Sequence, residues 1–497
     1  MNWKSLQNGS DIRGVALEGM EGQHVNLSAD VARAIARAFT AWLVKKNGRG
    51  RQTVSVGHDS RLSGRVLTEA FAEGAAEGGH KVFVFGLAST PAMFMSTQDA
   101  DLRIDGAVMV TASHLPWNRN GMKFFTPEGG LDKEDIRDIL ALAEKSAAAD
   151  AAVDKGDIRP VGFMDTYCRF LVDYIRNGVN RGDTPLAGMK IVVDAGNGAG
   201  GFFASRVLEP LGADTGGSQF LEPDGTFPNH IPNPEDGDAM ASVCRAVKEH
   251  RADLGIIFDT DVDRSAVVAS TGEPIHRNAL IALIAHVVLK EHPGSTIVTD
   301  SVTSRGLTRY IAGMGGIHHR FRRGYKNVIN ESLRLNAAGN ESWLAIETSG
   351  HAALRENFFL DDGAYLVAKL LVEAARLRHE GRQLQDLIAK LDQPAESREI
   401  RLNILDDDFK GYGSRVIEKI KQAAGSVPGW HIVTPNYEGV RVDCLGGDEQ
   451  GWFLLRQSLH DPVLPLNIES DIAGGVAAIE ARVRTLLAGF DRLSVRS

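Results

Sequence analysis

The chain predicts an α/β fold assembled from tandem units, with a differently patterned segment at the C-terminal end. Three observations carry this: a length of 497 residues, a local grammar that recurs three times, and the loss of that grammar after Ile400. At about 150 residues per domain such a length divides into three or four domains. The grammar is a short β-branched strand, a small polar or glycine-rich loop, a helix-like stretch, then glycine. It begins at Thr53 with TVSVG, at Ile191 with IVVDAGNGAG and at Thr296 with TIVTDSVTSRG. In each copy a second apolar strand follows and stops in a polar loop: AVMV before TASH, LGIIF before DTDVDR, WLAI before ETSGH. Copies spaced by roughly 100 residues or more are whole domains and not stacked solenoid repeats.

The elements support a four-part division at 1–155, 156–272, 273–395 and 396–497. The run EKSAAADAAVDKGD, from Glu144 to Asp157, reads as a helix end and linker. A turn at Gly272 to Arg277 passes into NALIALIAHVVLK, which is apolar nearly all round and therefore predicts a buried helix. Beyond DQPAESREI, the stretch VRVDCLGGDEQGWFLLRQS reads as strand, turn and strand around Gly446 and Gly447, followed by a C-terminal helix.

Composition narrows the function classes. Apolar residues make up 43% of the chain, and 55 Lys plus Arg against 64 acidic residues leave a formal charge of -9. General nucleic-acid binding is disfavoured, while a local basic cleft for a small anion is still allowed. Cys168, Cys244 and Cys444 are too far apart for zinc pairs or a disulfide framework. No leader pattern precedes the first unit and no run approaches the 18 or so apolar residues of a membrane span. The expectation is a cytoplasmic protein with neither nucleic acid nor membrane as partner, monomeric or homodimeric.

In open α/β sheets ligands gather beyond the carboxyl ends of strands. There the first repeat places Ser113, in AVMVTASHLPWNRNGMKFF, a candidate nucleophile without an esterase elbow, since Thr111 and Leu115 stand where glycines are needed. Its bland reading is a turn or capping serine; Lys123 follows an Asn-Gly pair nearby, and a serine phosphate needs such basic neighbours. The second repeat places Asp259, Asp261 and Asp263, followed by Arg264. Alternate carboxylates after a buried strand repel one another without a cation, and their oxygens suit magnesium. An EF-hand fails on spacing, with Arg264 at its glycine position and Ser270 at its glutamate position. A phosphatase of the haloacid dehalogenase type, also strand then D-x-D, stays open.

Gly196, Gly198 and Gly201 match G-x-G-x-x-G, yet Asp214 is a poor acidic partner for a dinucleotide site, so close packing of strand on helix is the better reading. Glu347, Thr348, Ser349 and His351 could hydrogen-bond sugar hydroxyls or form a solvated turn. Arg456, Ser458 and His460, after GWFLL, combine a fork donor, a hydroxyl and an imidazole, as a phosphate anchor or a plain polar loop.

Taken together and in order, these segments resemble the α-D-phosphohexomutase family: phosphoglucomutase, phosphomannomutase and phosphoglucosamine mutase. SDIRG (Ser10 to Gly14) resembles Y-D-I-R-G, VGHDSRLSG resembles V-G-R-D-x-R-x-S, TASHLPWNRNGMK resembles the phosphoserine loop T-A-S-H-N-P-x-x-x-N-G-x-K, and DTDVDR matches the metal loop. ETSGH is similar to G-E-x-S-G-H, and GYKNV to the lysine-bearing loop of the third domain; PDGTFPNHIPNPE is also family-like. Departures are Ile346 for glycine, His58 for arginine, Leu115 for asparagine, and RQSLHDP where the family reads R-x-S-[GN]-T-x-P, so that His460 replaces threonine.

The resemblance implies three similar mixed α/β domains and a smaller α+β C-terminal domain around a central cleft. It implies a phosphorylated hexose as substrate, phosphate carried on Ser113, one Mg²⁺ on the three aspartates and an oxygen of that phosphate, and a sugar bisphosphate as intermediate and activator. Lys123, Arg13 and His351 become the candidates for proton transfer. Glu347 and Ser349 face the ring hydroxyls, Arg456, Ser458 and His460 hold the non-reacting phosphate, and Arg264 and Lys326 assist substrate binding. A metal-dependent sugar-phosphate phosphatase and a non-catalytic sugar-phosphate-binding homologue are the alternatives.

Overall fold

The structure, a computed structural model, describes residues 2–146, 156–458 and 461–495. Its contacts divide the chain into one unit of Met1–Val287 with Ser349–Leu387 and a second of Val288–Thr348 with Ile388–Ser497.

In the first unit, strands Thr53–His58, Lys81–Leu87, Gly106–Val110 and Asp157–Pro160 run parallel, and Arg119–Thr126 and Asp11–Val15 extend the sheet antiparallel. Helices Ala29–Asn47, Gly64–Ala76 and Lys133–Ser146 pack on it. The first begins because the Ser28 side chain accepts from the Val31 N–H and ends at Gly48, whose φ of +66° suits a residue without Cβ. Phe39, at 0% exposure, packs its ring at a tilt against Phe124, with the ring centres 5.0 Å apart. Each such side chain contributes about 1.5–3 kcal/mol through removal from water, so this layer holds the strand ends rigidly.

The second sheet of this unit pairs Ile191–Asp194 parallel to Leu254–Phe258, which is antiparallel to Ser265–Ala269. In the second unit, Thr296–Thr299 is parallel to both Ile317–Arg320 and Ser342–Ile346. The recurring grammar thus has a physical form: in all three copies the opening strand lies parallel to the strand that ends in the polar loop. Parallel pairing sends both chain directions the same way and aligns those loops at the carboxyl ends of their sheets. The helix Asn278–Glu291 is buried along Leu280–Leu289 apart from His286, as its apolar circumference predicts.

The changed pattern after Ile400 is an antiparallel sheet in the order Trp430–Ile432, Val440–Cys444, Gly451–Leu455, Val463–Ser470, Glu396–Ile404, Leu493–Val495. Helices Phe409–Ala424 and Gly475–Leu487 cover it. The predicted strand–turn–strand is Val440–Cys444 with Gly451–Leu455, and the predicted terminal helix is Gly475–Leu487. Among the described residues no helix is long and apolar enough to cross a membrane.

Candidate active site

The end of strand Gly106–Val110 and the end of strand Leu254–Phe258 meet. Ser113 Oγ donates to Asp259 Oδ2 at 2.9 Å and accepts from Arg264 Nη2 at 2.8 Å. Both loops carry a residue in the left-handed region, Ser113 at φ +49° and Val262 at φ +69°. For a β-branched valine that conformation is a genuine outlier, costing about 1–3 kcal/mol, and it persists only where the surroundings impose it. Gly363 imposes it here: its N–H donates to the Val262 carbonyl at 3.1 Å, and a Cβ on Gly363 would lie 2.7 Å from the Arg264 backbone.

Asp259, Asp261 and Asp263 are each at most 1% exposed. Lys123 Nζ donates to Asp261 at 2.8 Å and also to Asp263, while Arg264 pairs with Asp259 at 3.0 Å. Burial opposes the charged lysine, but the two facing carboxylates outweigh burial and hold its pKa well above the usual range. Asp261 is driven below the ordinary carboxylate range by Lys123 and the Thr90 hydroxyl, despite burial; Asp259 is pushed up to about 8, first by burial and then by Asp263.

The donor set fits one hard divalent cation. One oxygen atom of each aspartate lies within 4.8 Å of the others, and Asp261 Oδ1 and Asp263 Oδ1 are buried without a hydrogen-bond partner among the described residues. All-oxygen ligation is the chemistry magnesium prefers.

His351 joins this cluster through Asp361 and lies 3.8 Å from Asp263. Burial alone would lower its pKa, but Asp361 and Asp263 raise it to about 9. The loop Ser349 to His351 lies along Arg264 and Ser265, with Ser265 N–H directed at the Gly350 carbonyl and Arg264 bridged to His351. Ser349 Oγ is buried and has no hydrogen-bond partner among the described residues. Arg13 pairs with Asp11 at 2.8 Å and lies opposite Gly121, two residues before Lys123.

In the second unit Glu347 accepts from Gly324 N–H at 2.6 Å, and Lys326 follows in the first turn of helix Tyr325–Ala337. Arg456 lies 3.9 Å from Glu438, and Ser458 Oγ accepts from Asp461 N–H at 3.2 Å. His460 lies outside the described residues.

Several contributing residues carry no isolated sequence signal. Thr90 donates its hydroxyl to Asp261 Oδ2 at 2.5 Å and its N–H to the Asp261 carbonyl at 2.8 Å. Asp361 follows the apolar run Phe358 to Leu360, and Asn233, which accepts from Arg264 at 3.1 Å, lies in the family-like PDGTFPNHIPNPE without a signal of its own. His114 Nδ1 faces Arg264 Nη2 at 2.8 Å; guanidinium only donates, so this nitrogen is the acceptor of a neutral ring. The glycines Gly198 and Gly201 serve packing, since a Cβ would lie 2.7 Å from the Thr260 carbonyl oxygen and 2.1 Å from that of Leu221 respectively.

Residues 4–150, 167–272 and 276–394 match the phosphoglucomutase/phosphomannomutase alpha/beta/alpha domains I, II and III. The chain is 32% identical to a phosphomannomutase/phosphoglucomutase of Pseudomonas putida, over 96% of this chain and 95% of the relative. It is 31% identical to a phosphomannomutase of Salmonella typhimurium, over 95% and 97%. A solved phosphoglucomutase/phosphomannomutase family protein of Burkholderia thailandensis superposes with a TM-score of 0.81 at 28% identity, covering 99% of each chain. The chain therefore belongs to the phosphoglucomutase/phosphomannomutase family and is a phosphohexomutase, an isomerase that works by intramolecular phosphoryl transfer.

Proposed function

We propose that the chain interconverts the 1- and 6-phosphates of glucose or mannose, with Ser113 as the phosphoryl carrier. The observation that carries this is Ser113 Oγ held between Asp259 at 2.9 Å and Arg264 at 2.8 Å. The names of relatives near one-third identity support the two hexoses.

In the first half-reaction the P–O bond to Ser113 breaks as a P–O bond to the free sugar hydroxyl forms. The hydroxyl proton passes to a base, and Arg264 donates to the Ser113 oxygen as charge builds on it. The bisphosphate then turns around, and its other phosphate returns to Ser113 while the departing sugar oxygen takes a proton. His351, protonated at neutral pH because Asp361 and Asp263 hold its proton, is suited to donate. Lys123 and Arg13 are assigned to the base role; Asp261 and Asp263 hold the Lys123 proton, so Lys123 can serve as base only where a bound cation takes up their charge.

Asp259, Asp261 and Asp263 would hold Mg²⁺, which when bound neutralises phosphoryl oxygen charge as a Lewis acid. Glu347 and Ser349 are assigned to the ring hydroxyls, and Arg456, Ser458, His460 and Lys326 to the substrate and its non-reacting phosphate. The four-part division at 155, 272 and 395 belongs to the same reading, as do cytoplasmic operation and a monomeric or homodimeric state.

A panel of hexose 1- and 6-phosphates with coupled detection tests it. Ser113→Ala is expected to abolish turnover and remove covalent phosphate seen by mass spectrometry. Full activity of that variant would sink the assignment, and net release of inorganic phosphate by the parent protein would favour the phosphatase alternative.

A further inference from the structure

The loop that carries Ser113 has to be held in a conformation serine rarely adopts, and the residue that holds it lies elsewhere. Arg61 comes from VGHDSRLSG, after strand Thr53–His58, and its side chain is entirely enclosed. Its Nη1 donates to the carbonyls of Pro116 and Arg119, each at 2.9 Å. Its Nη2 donates to those of Ser113 and Leu115, each at 2.5 Å. One guanidinium thus gathers four carbonyls spanning the whole loop. Because peptide C=O and N–H point in opposite senses, turning the Ser113 carbonyl inward directs the His114 N–H away from the clamp.

The other backbone atom of Ser113 is tethered from the same strand end. Its N–H donates to Thr111 Oγ1 at 3.0 Å, and that hydroxyl donates to Asp59 Oδ2 at 2.6 Å. Asp59 Oδ1 accepts the Arg61 N–H at 2.9 Å, and its other oxygen lies 3.5 Å from Arg61 Nε. Phe227, whose ring lies 5.2 Å from the guanidinium, seals the pair. Gly225 permits this approach, because a Cβ there would fall 2.5 Å from Leu62 N.

We propose that Arg61, braced by Asp59 and Thr111, is the positioning residue that sets Ser113 against Asp259 and Arg264 for phosphoryl transfer. This rests on the reading of Ser113 as the carrier. Arg61 spends its donors on carbonyls and its charge on Asp59, so it is not a phosphate ligand, and its effect belongs in kcat. A displacement of the reacting group by 1 Å costs about 10²-fold in rate. Lysine, a point charge with three donors, cannot reproduce a planar fork across four acceptors.

The test uses Arg61→Lys, Thr111→Val and Thr111→Ser in the full chain, with melting curves, steady-state kinetics on a hexose 1-phosphate, and mass spectrometry of Ser113. Arg61→Lys and Thr111→Val are expected to lower kcat by about 30- to 100-fold, with KM within about threefold. Thr111→Ser, which keeps the hydroxyl, is expected to stay within about threefold of the parent. A folded Arg61→Lys protein with parental kcat overturns the proposal, as does a loss confined to KM. If Arg61→Lys does not fold, Thr111→Val and Thr111→Ser decide it: equal kcat in the two overturns it. Absence of phosphate from Ser113 in the parent protein overturns the carrier reading instead, and the kcat comparison then still scores the clamp.

Discussion

Lys123→Met tests the charge balance of the aspartate loop. Lys123 is 3% exposed and its ammonium faces Asp261 and Asp263, so methionine retains the packing volume and leaves two carboxylates in a dry site without their cation. Breaking a buried ion pair by removing one partner costs about 3–5 kcal/mol. An unfolding entropy of about 2.1 cal/mol/K per residue amounts to roughly 0.6 kcal/mol/K over about 300 residues, so the expected fall in melting temperature is roughly 5–8 °C in chelator. Magnesium should reverse much of it. The oxygens that Lys123 occupies become available, and a ligand stabilises the folded state by RT ln(1 + [L]/Kd), so the magnesium-dependent rise should be larger in the variant than in the parent. Differential scanning calorimetry with chelator and with magnesium reads both. Equal melting temperatures in chelator, or equal magnesium-dependent rises, would refute the charge-balance argument.

Two further expectations concern stability. Arg441 is 2% exposed, donates to the carbonyls of Ser301 and Thr303 at 2.8 and 3.0 Å, and lies 3.6 Å over the Trp452 ring. Arg441→Met leaves both carbonyls unsatisfied, and a loss of about 3–5 kcal/mol in urea titration is expected; a loss below about 1 kcal/mol would show that the carbonyls find other donors. His230 donates to Asp194 at 3.0 Å, and although burial opposes protonation, that hydrogen bond and charge raise its pKa. A raised folded-state pKa contributes stability that is complete below the ordinary imidazole value of about 6.5 and is lost as pH rises through the folded value. The urea midpoint of the parent should therefore decline from pH 6 toward pH 8 more than that of His230→Phe; parallel profiles would exclude His230 as the source.

The strand-end loops were legible in the sequence because each is local: a β-branched run, then a break into small or acidic residues within a few positions. Ser113, Asp259, Asp261, Asp263 and His351 are all of this kind, and the structure brings them together. Thr90 was not legible, since it matters only through a partner far away in the chain; Asp361 meets His351 ten positions away but stands in a stretch without a loop signal, and Asn233 lay in a family-like segment that did not reveal its partner Arg264. Thr90 meets Asp261 across 171 positions, and Lys123 meets it across 138. Arg61 sat within a recognisable segment, but nothing in VGHDSRLSG says that its guanidinium is taken up by four carbonyls of another loop.

The tandem α/β organisation, the family resemblance and the chemical type of each loop can be read from the residues in order, because strand periodicity and loop composition are properties of neighbouring residues. Which charges face which follows from the folded chain alone. Packing of the parallel strands sets the ends of two sheets against each other, where Asp261 and Asp263 hold the proton of Lys123 against the effect of burial, burial makes Asp259 resist ionising, and Ser113 takes a conformation it would not adopt alone.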